Sequence, residues 1–204
     1  MASYTLYYWP ILARNMNAVL VAKEAGLTLK QTEPEWPAFK SRTLFGQLPH
    51  LESSDGLQVS QSGAIVRVLA RRGGLSGATE ADFALSEVLL EEYADLLNAL
   101  GKCMYGGPKA ERPARFQAFL APEGGAAAHL SHFESVCKEG GVFTSSVTAG
   151  ECAVACALHT LLGLKGDLLA ALPKLSAFWA ARKARTADAL AGLTPYYTPE
   201  SQEE

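Results

Sequence analysis

SYTLYYWPILARNMNAVLVAKEAGLTLKQTE, residues 3–33, holds three different patterns in one stretch. SYTLYYW over 3–9 is rich in aromatics and alternates enough to predict a strand, which Pro10 ends. From Arg14 to Ala25 the apolar residues recur at helical spacing, and Gly26 supplies the stop. LTLKQTE then predicts a second short strand. Strand, helix and strand in this order open a parallel sheet.

Working outward, residues 33–47 contain Pro34, Pro37 and Gly46 and show no clean period, which predicts a long loop of the kind that usually carries function. LPHLE and GLQVS bracket Ser53-Ser54-Asp55-Gly56, a tight turn between antiparallel strands. Residues 62–72 predict a helix with Ser62 as its N-cap. The order β-α-β-loop-β-β-α is that of a thioredoxin-like fold. GGLSGAT at 73–79 is small and glycine-rich, as a flexible linker would be. Everything beyond it predicts helix: 80–105, then 112–138 with a break near Pro122 to Gly125, then a strongly apolar 149–163. Thr148-Ala-Gly-Glu151 reads as a capping box, each side chain bonding the other's backbone N–H. Pro173 opens a last helix, and TPESQEE at 198–204 reads as a frayed acidic end. The expected fold class is therefore an α/β thioredoxin-like domain over 1–74 and an all-α helical domain over 80–204, joined by a linker at 75–79.

The chain has 204 residues, enough for two small domains that each bury a core, and its 49% hydrophobic and 19% charged content is that of an ordinary globule. The apolar runs are interrupted too soon to span a bilayer, so no membrane partner is expected. MASYTLYYWP lacks a charged region followed by an apolar block, which argues against a secretory signal and for a cytoplasmic location. A net charge of −3 offers no footprint for nucleic acid. The four cysteines form no C-x-x-C pair, against both a thioredoxin-type redox centre and a zinc knuckle; Cys152 and Cys156, four apart on a helix, read as buried thiols.

YTLYYWP near the start, Arg14, WPAFKS at 36–41, FGQLPHL at 45–51, VSQSGAIVRVLA at 59–70 and ALPKLSAFWAARKA at 171–184 stand in one order and spacing over nearly the whole chain. Together they resemble the cytosolic glutathione transferases, closest to the pi and sigma classes. The resemblance implies glutathione as co-substrate, no metal, a small hydrophobic electrophile as second substrate, and a homodimer.

It also implies roles. Tyr8 occupies the position of the tyrosine whose hydroxyl donates to the glutathione sulfur, a tie that the residues alone leave open between Tyr7 and Tyr8. A free thiol has a pKa near 8.5, and lowering it by about 2 units requires roughly 2.7 kcal/mol of preferential thiolate stabilisation. One hydrogen bond to an ion supplies roughly 1.5–3 kcal/mol, so a single phenol suffices. Arg14 adds a positive charge near the same sulfur. Ser62 and Gln61, at a helix N-terminus that favours anions, match the residues holding the γ-glutamyl carboxylate. Leu48-Pro49 resembles a cis step that lets the Leu48 backbone pair with the cysteinyl unit like an added strand, beside Gln47. Trp36 and Lys40, both donors, match residues that reach the glycine end. Asp95 aligns with an acid that crosses the dimer interface to the glutathione amino group, with Glu91 as the nearest alternative, and Phe45 with an aromatic that inserts into the partner, against intrachain core packing. Leu12, Met104 and Tyr105 are the expected walls of the electrophile pocket.

The sequence departs from the family at Leu12-Ala13-Arg14, where Arg-Gly-Arg is usual, followed by Asn15 and Met16. That leaves the local geometry open. Two rival readings stay open too: a glutathione-dependent isomerase of the prostaglandin D synthase type, and a non-enzymatic structural or ligand-carrying relative.

Overall fold

The computed structural model describes residues 2–200. Much of the expected 198–204 tail lies outside the described residues. Strand β1 (Tyr4–Tyr7) lies second in a four-stranded sheet, parallel to β3 (Leu29–Thr32) and antiparallel to β4 (His50–Ser53), which pairs with β5 (Gln58–Ser60). The alternation read in the sequence sets the register: Tyr4 and Leu6 point into the core, while Thr5 and Tyr7 lie partly exposed. Helix α1 (Met16–Glu24) connects β1 to β3 and packs on α2 (Ser62–Gly73). The long loop holds one 3₁₀ turn, Ala38–Arg42, and both Trp36–Pro37 and Leu48–Pro49 are cis.

Helix α2 differs from expectation at its start. The N-cap is Gln61, and Ser62 is already helical. Gln61 has φ 75°, and it is the one non-glycine residue with positive φ among those described. Such a conformation costs about 1–3 kcal/mol and persists where the surroundings demand it.

Five further helices follow: α3 (Glu80–Tyr105), α4 (Arg112–Phe119), α5 (Gly125–Val136), α6 (Ala149–Leu164) and α7 (Pro173–Leu190). Twelve of the sixteen residues of α6 are buried, because it packs against α1, α3 and α7. Gly150 permits the α3 crossing: a Cβ there would stand 2.5 Å from the Ser86 carbonyl oxygen, and the Gly150 N–H donates to Ser86 Oγ at 3.0 Å. The segment read as a flexible linker is pinned, since the Leu75 carbonyl accepts the Ala149 N–H at 2.9 Å. Thr79 caps α3 by accepting the Asp82 N–H at 3.1 Å.

The capping box at 148–151 is half made. Thr148 Oγ1 accepts the Glu151 N–H at 3.3 Å, but Glu151 turns away from the Thr148 backbone. Its carboxylate instead accepts from Thr144 N–H (3.2 Å), Thr144 Oγ1 (3.0 Å) and Arg182 (2.7 Å), bonds that need tertiary neighbours. One pairing had no sequence signal: Ile11–Leu12 (β2) runs parallel to Thr194–Pro195 (β6), so the chain after α7 returns to the end of β1. Among the described residues no helix is long and apolar enough to cross a membrane.

Candidate active site

The ends of β1 and β4 and the start of α2 converge around Arg14. A groove of about 460 Å³ is lined by Trp9, Arg14, Gln47, Leu48, Pro49, Gln61 and Ser62. The sequence-predicted residues at 47–49 and 61–62 therefore meet Arg14, while Trp9 went unnoticed among the aromatics of the first strand. Helix α2 has no acidic residue in its first turn, so its N-terminal N–H groups present an uncompensated positive end. Gln61 Nε2 reaches Gln47 Oε1 at 3.4 Å, joining two of the groove's lining residues.

Tyr7 and Tyr8 separate clearly. The Tyr7 hydroxyl donates to Glu52 Oε2 at 3.1 Å, with the Arg42 guanidinium over its ring. Tyr8 is 7% exposed and sits beside Arg14. Burial raises its phenol above the ordinary 10.0, against the Arg14 charge and the Arg14 backbone N–H, which both pull it down. At neutral pH Tyr8 therefore keeps its proton and can donate it in a hydrogen bond.

The altered segment before α1 is explained by what its side chains bind. Asn15, fully buried, accepts the Ala13 N–H on Oδ1 at 3.3 Å and donates from Nδ2 to Gln31 Oε1 at 3.0 Å. Gln31 in turn donates to the Trp9 carbonyl at 2.9 Å. This chain of bonds holds the turn that carries Arg14. Met16 is buried and accepts from Thr160 Oγ1 at 3.6 Å. The Arg14 guanidinium donates to Asn98 Oδ1 on α3 at 2.9 Å.

Trp36 packs edge-on to Trp9 (centroids 6.1 Å), and the Lys40 ammonium lies 5.4 Å from the Trp36 ring centre, so this pair stands beside the groove although neither lines it. Asp95 and Tyr105 line a second cavity, of about 690 Å³, with Arg14, Asn98 and His129. A third, of about 260 Å³, lies between α2 and α3 and includes Arg14, Asn17, Ser62, Glu91 and Tyr93. Glu91 is paired there with Arg67, which also bonds Glu87 at 2.7 Å. Among the described residues, the Asn17 Oδ1 and the Tyr93 hydroxyl are buried without a hydrogen-bond partner. Tyr105 is 65% exposed. The three expected wall residues are not gathered: Leu12 lines a separate cavity of about 180 Å³ with Tyr196 and Tyr197, and Met104 is buried in the core. Phe45 is 65% exposed, with Leu44 beside it at 57%, so it takes no part in intrachain core packing. All four cysteines are buried free thiols; burial raises each, and Cys137 is pushed up to about 11.

Residues 2–71 match the sequence profile "Glutathione S-transferase, N-terminal domain". The chain is 36% identical over 106 residues to "Glutathione S-transferase 1" of Ascaris suum, an alignment covering 50% of this chain and 51% of that one. It is 33% identical over 100 residues to "Hematopoietic prostaglandin D synthase" of Gallus gallus, covering 48% of this chain and 50% of that one. The chain thus spans about half the length of the curated relatives it matches. Over nearly full length, the glutathione S-transferase of Ascaris lumbricoides superposes with a TM-score of 0.74 at 26% identity, covering 97% of this chain and 100% of that one.

Proposed function

We propose that this chain, which carries a glutathione S-transferase N-terminal domain and the fold of that family throughout its described length, is itself a transferase that joins glutathione to a small hydrophobic electrophile. The observation that carries the reading is the position of Arg14. It lines the 460 Å³ groove with Gln47, Leu48, Pro49, Gln61 and Ser62 and also the 690 Å³ cavity with Asp95 and Tyr105, with the buried Tyr8 phenol beside it. In this reading a thiol bound beside Arg14 also meets the Tyr8 phenol, which packs against Arg14 without lining either cavity, and both groups favour the ionised form.

In this reading glutathione lies along the groove. The backbone of Leu48 pairs with its cysteinyl unit, and Gln61 and Ser62 at the α2 N-terminus receive the γ-glutamyl carboxylate. Trp36 and Lys40 answer the glycine carboxylate. Tyr8 donates its O–H to the sulfur without losing its proton, and Arg14 adds charge. The thiolate then attacks an electrophilic carbon held in the cavity by Tyr105: a C–S bond forms, and the displaced pair leaves with the leaving group or takes up a proton. A homodimer belongs to the same reading, with Asp95 of one subunit meeting the amino group of glutathione bound to the other. The exposed Phe45 and Leu44 support it. A cytoplasmic location and a detoxifying role go with the family resemblance.

The test is capture on immobilised glutathione followed by turnover of chlorodinitrobenzene. Retention with turnover supports the proposal. Retention without turnover against a broad panel of electrophiles points to a carrier, and failure to bind removes it. The similarity to the prostaglandin D synthase favours one second reading, in which the same thiolate adds to its substrate and is returned unchanged. Product analysis separates the two, because only conjugation consumes glutathione.

A further inference from the structure

We infer that Glu92, His129 and His132 form a binding site for one first-row divalent transition-metal ion, of which Zn²⁺ is the representative. Glu92 lies on α3, and the two histidines lie three residues apart on α5, one turn of the same helical face. Both imidazoles aim Nδ1 at one atom: His129 Nδ1 is 2.7 Å and His132 Nδ1 is 2.8 Å from Glu92 Oε1. One potential ligand atom from each residue falls within 4.8 Å of the others. The rings stand at 81° to each other, so their nitrogens approach from nearly perpendicular planes.

A hydrogen-bonded clasp between α3 and α5 needs only one such histidine. Two nitrogens converging on one carboxylate oxygen is also the ligand set of a three-residue metal site, two imidazoles and a carboxylate with the remaining positions left to solvent. The donors decide the class of ion. Magnesium and calcium favour all-oxygen ligand sets, whereas imidazole suits zinc, copper and nickel. Ligand bonds of about 2.0–2.1 Å in a tetrahedral site separate the ligand atoms by about 3.3 Å, so the site must open by about half an ångström. His132, 62% exposed, has room to make that adjustment, while His129 and Glu92, at 15% and 20%, hold the inner side firm. Bound metal would tie α3 to α5 beside the cavity that His129 shares with Arg14, Asp95 and Tyr105. The inference does not depend on the glutathione reading, and the family resemblance, which implies no metal, does not foresee it.

The test uses the full-length, tag-free protein, washed with chelator and titrated with Zn²⁺ by calorimetry and with Co²⁺ by visible absorption. The expected result is one Zn²⁺ per chain and Co²⁺ d–d bands typical of nitrogen and oxygen ligands. H132A, which removes a mostly exposed side chain and so spares the fold, is expected to weaken binding at least tenfold and to abolish the bands; E92Q is expected to weaken it likewise. Changes in outer-shell partners alone cost 10- to 100-fold in metal affinity, and a direct ligand costs no less. Absence of saturable binding in the wild type overturns the site. So does equal binding by the wild type and both variants, because the ion is then held elsewhere.

Discussion

Arg14 donates from its guanidinium to Asn98 Oδ1 at 2.9 Å, which fixes the cation in the turn before α1 against the C-terminal half of α3. Without that acceptor the guanidinium keeps its charge but loses its direction. In N98A the expected loss is about 1 kcal/mol of transition-state stabilisation, or about fivefold in kcat/KM for chlorodinitrobenzene, with glutathione affinity much less affected. Steady-state kinetics with each substrate varied checks this. An unchanged kcat/KM would mean that the Asn98 bond does not position Arg14 for the reaction.

Glu151 is buried and joins Thr144 to Arg182 on α7. E151A removes the acceptor of a buried backbone N–H and one half of a largely buried ion pair. The expected destabilisation is about 2–4 kcal/mol in chemical denaturation. T148A removes the cap that receives the Glu151 N–H together with a 3.5 Å contact to the Thr144 hydroxyl, and is expected to cost about 1 kcal/mol.

Asp82 is held below its ordinary 3.8 by the Ser145 hydroxyl and then by the Ser145 backbone N–H, and the loss of this interaction has a definite sign with pH. The folded value is the lower one, so the contribution to stability is complete above about pH 4 and disappears as pH falls through that folded value. The gap in urea midpoint between wild type and D82N should be largest at neutral pH and should shrink at pH 3. A gap that is constant with pH contradicts the assignment.

Phe45 leaves 65% of its surface exposed in a single chain. If that ring enters a second subunit, F45S should weaken the dimer by about 2 kcal/mol, or about 30-fold in Kd, with no loss of secondary structure. Sedimentation over a concentration series reads this directly, and an unchanged dimer places the interface elsewhere.

The fold was legible because its signals are local. Alternation at Tyr4–Tyr7, the apolar helix at Met16–Glu24, the turn closed by the Gly56 N–H on the Ser53 carbonyl, and Pro173 each act within a few residues. Residues 47–49 and 61–62 were singled out by the family resemblance, and they line one groove together. What escaped depends on distant partners: Asn98 on Arg14, Thr144 and Arg182 on Glu151, and Tyr197 beside Leu12 through the β2–β6 pairing. His129 and His132 look like two surface histidines until α5 is packed against Glu92. Ser62 looked like the N-cap because no sequence rule places Gln61 at φ 75°.

The central claim is that the Tyr8 phenol keeps the glutathione sulfur ionised, and the most direct measurement is the pKa of the bound thiol, followed by thiolate ultraviolet absorbance against pH in wild type and Y8F. Loss of one hydrogen bond to an anion, about 1.5–3 kcal/mol, predicts a rise of about 1–2 pKa units in Y8F with the protein still folded and still binding glutathione. The same thiol pKa in both proteins would contradict the account.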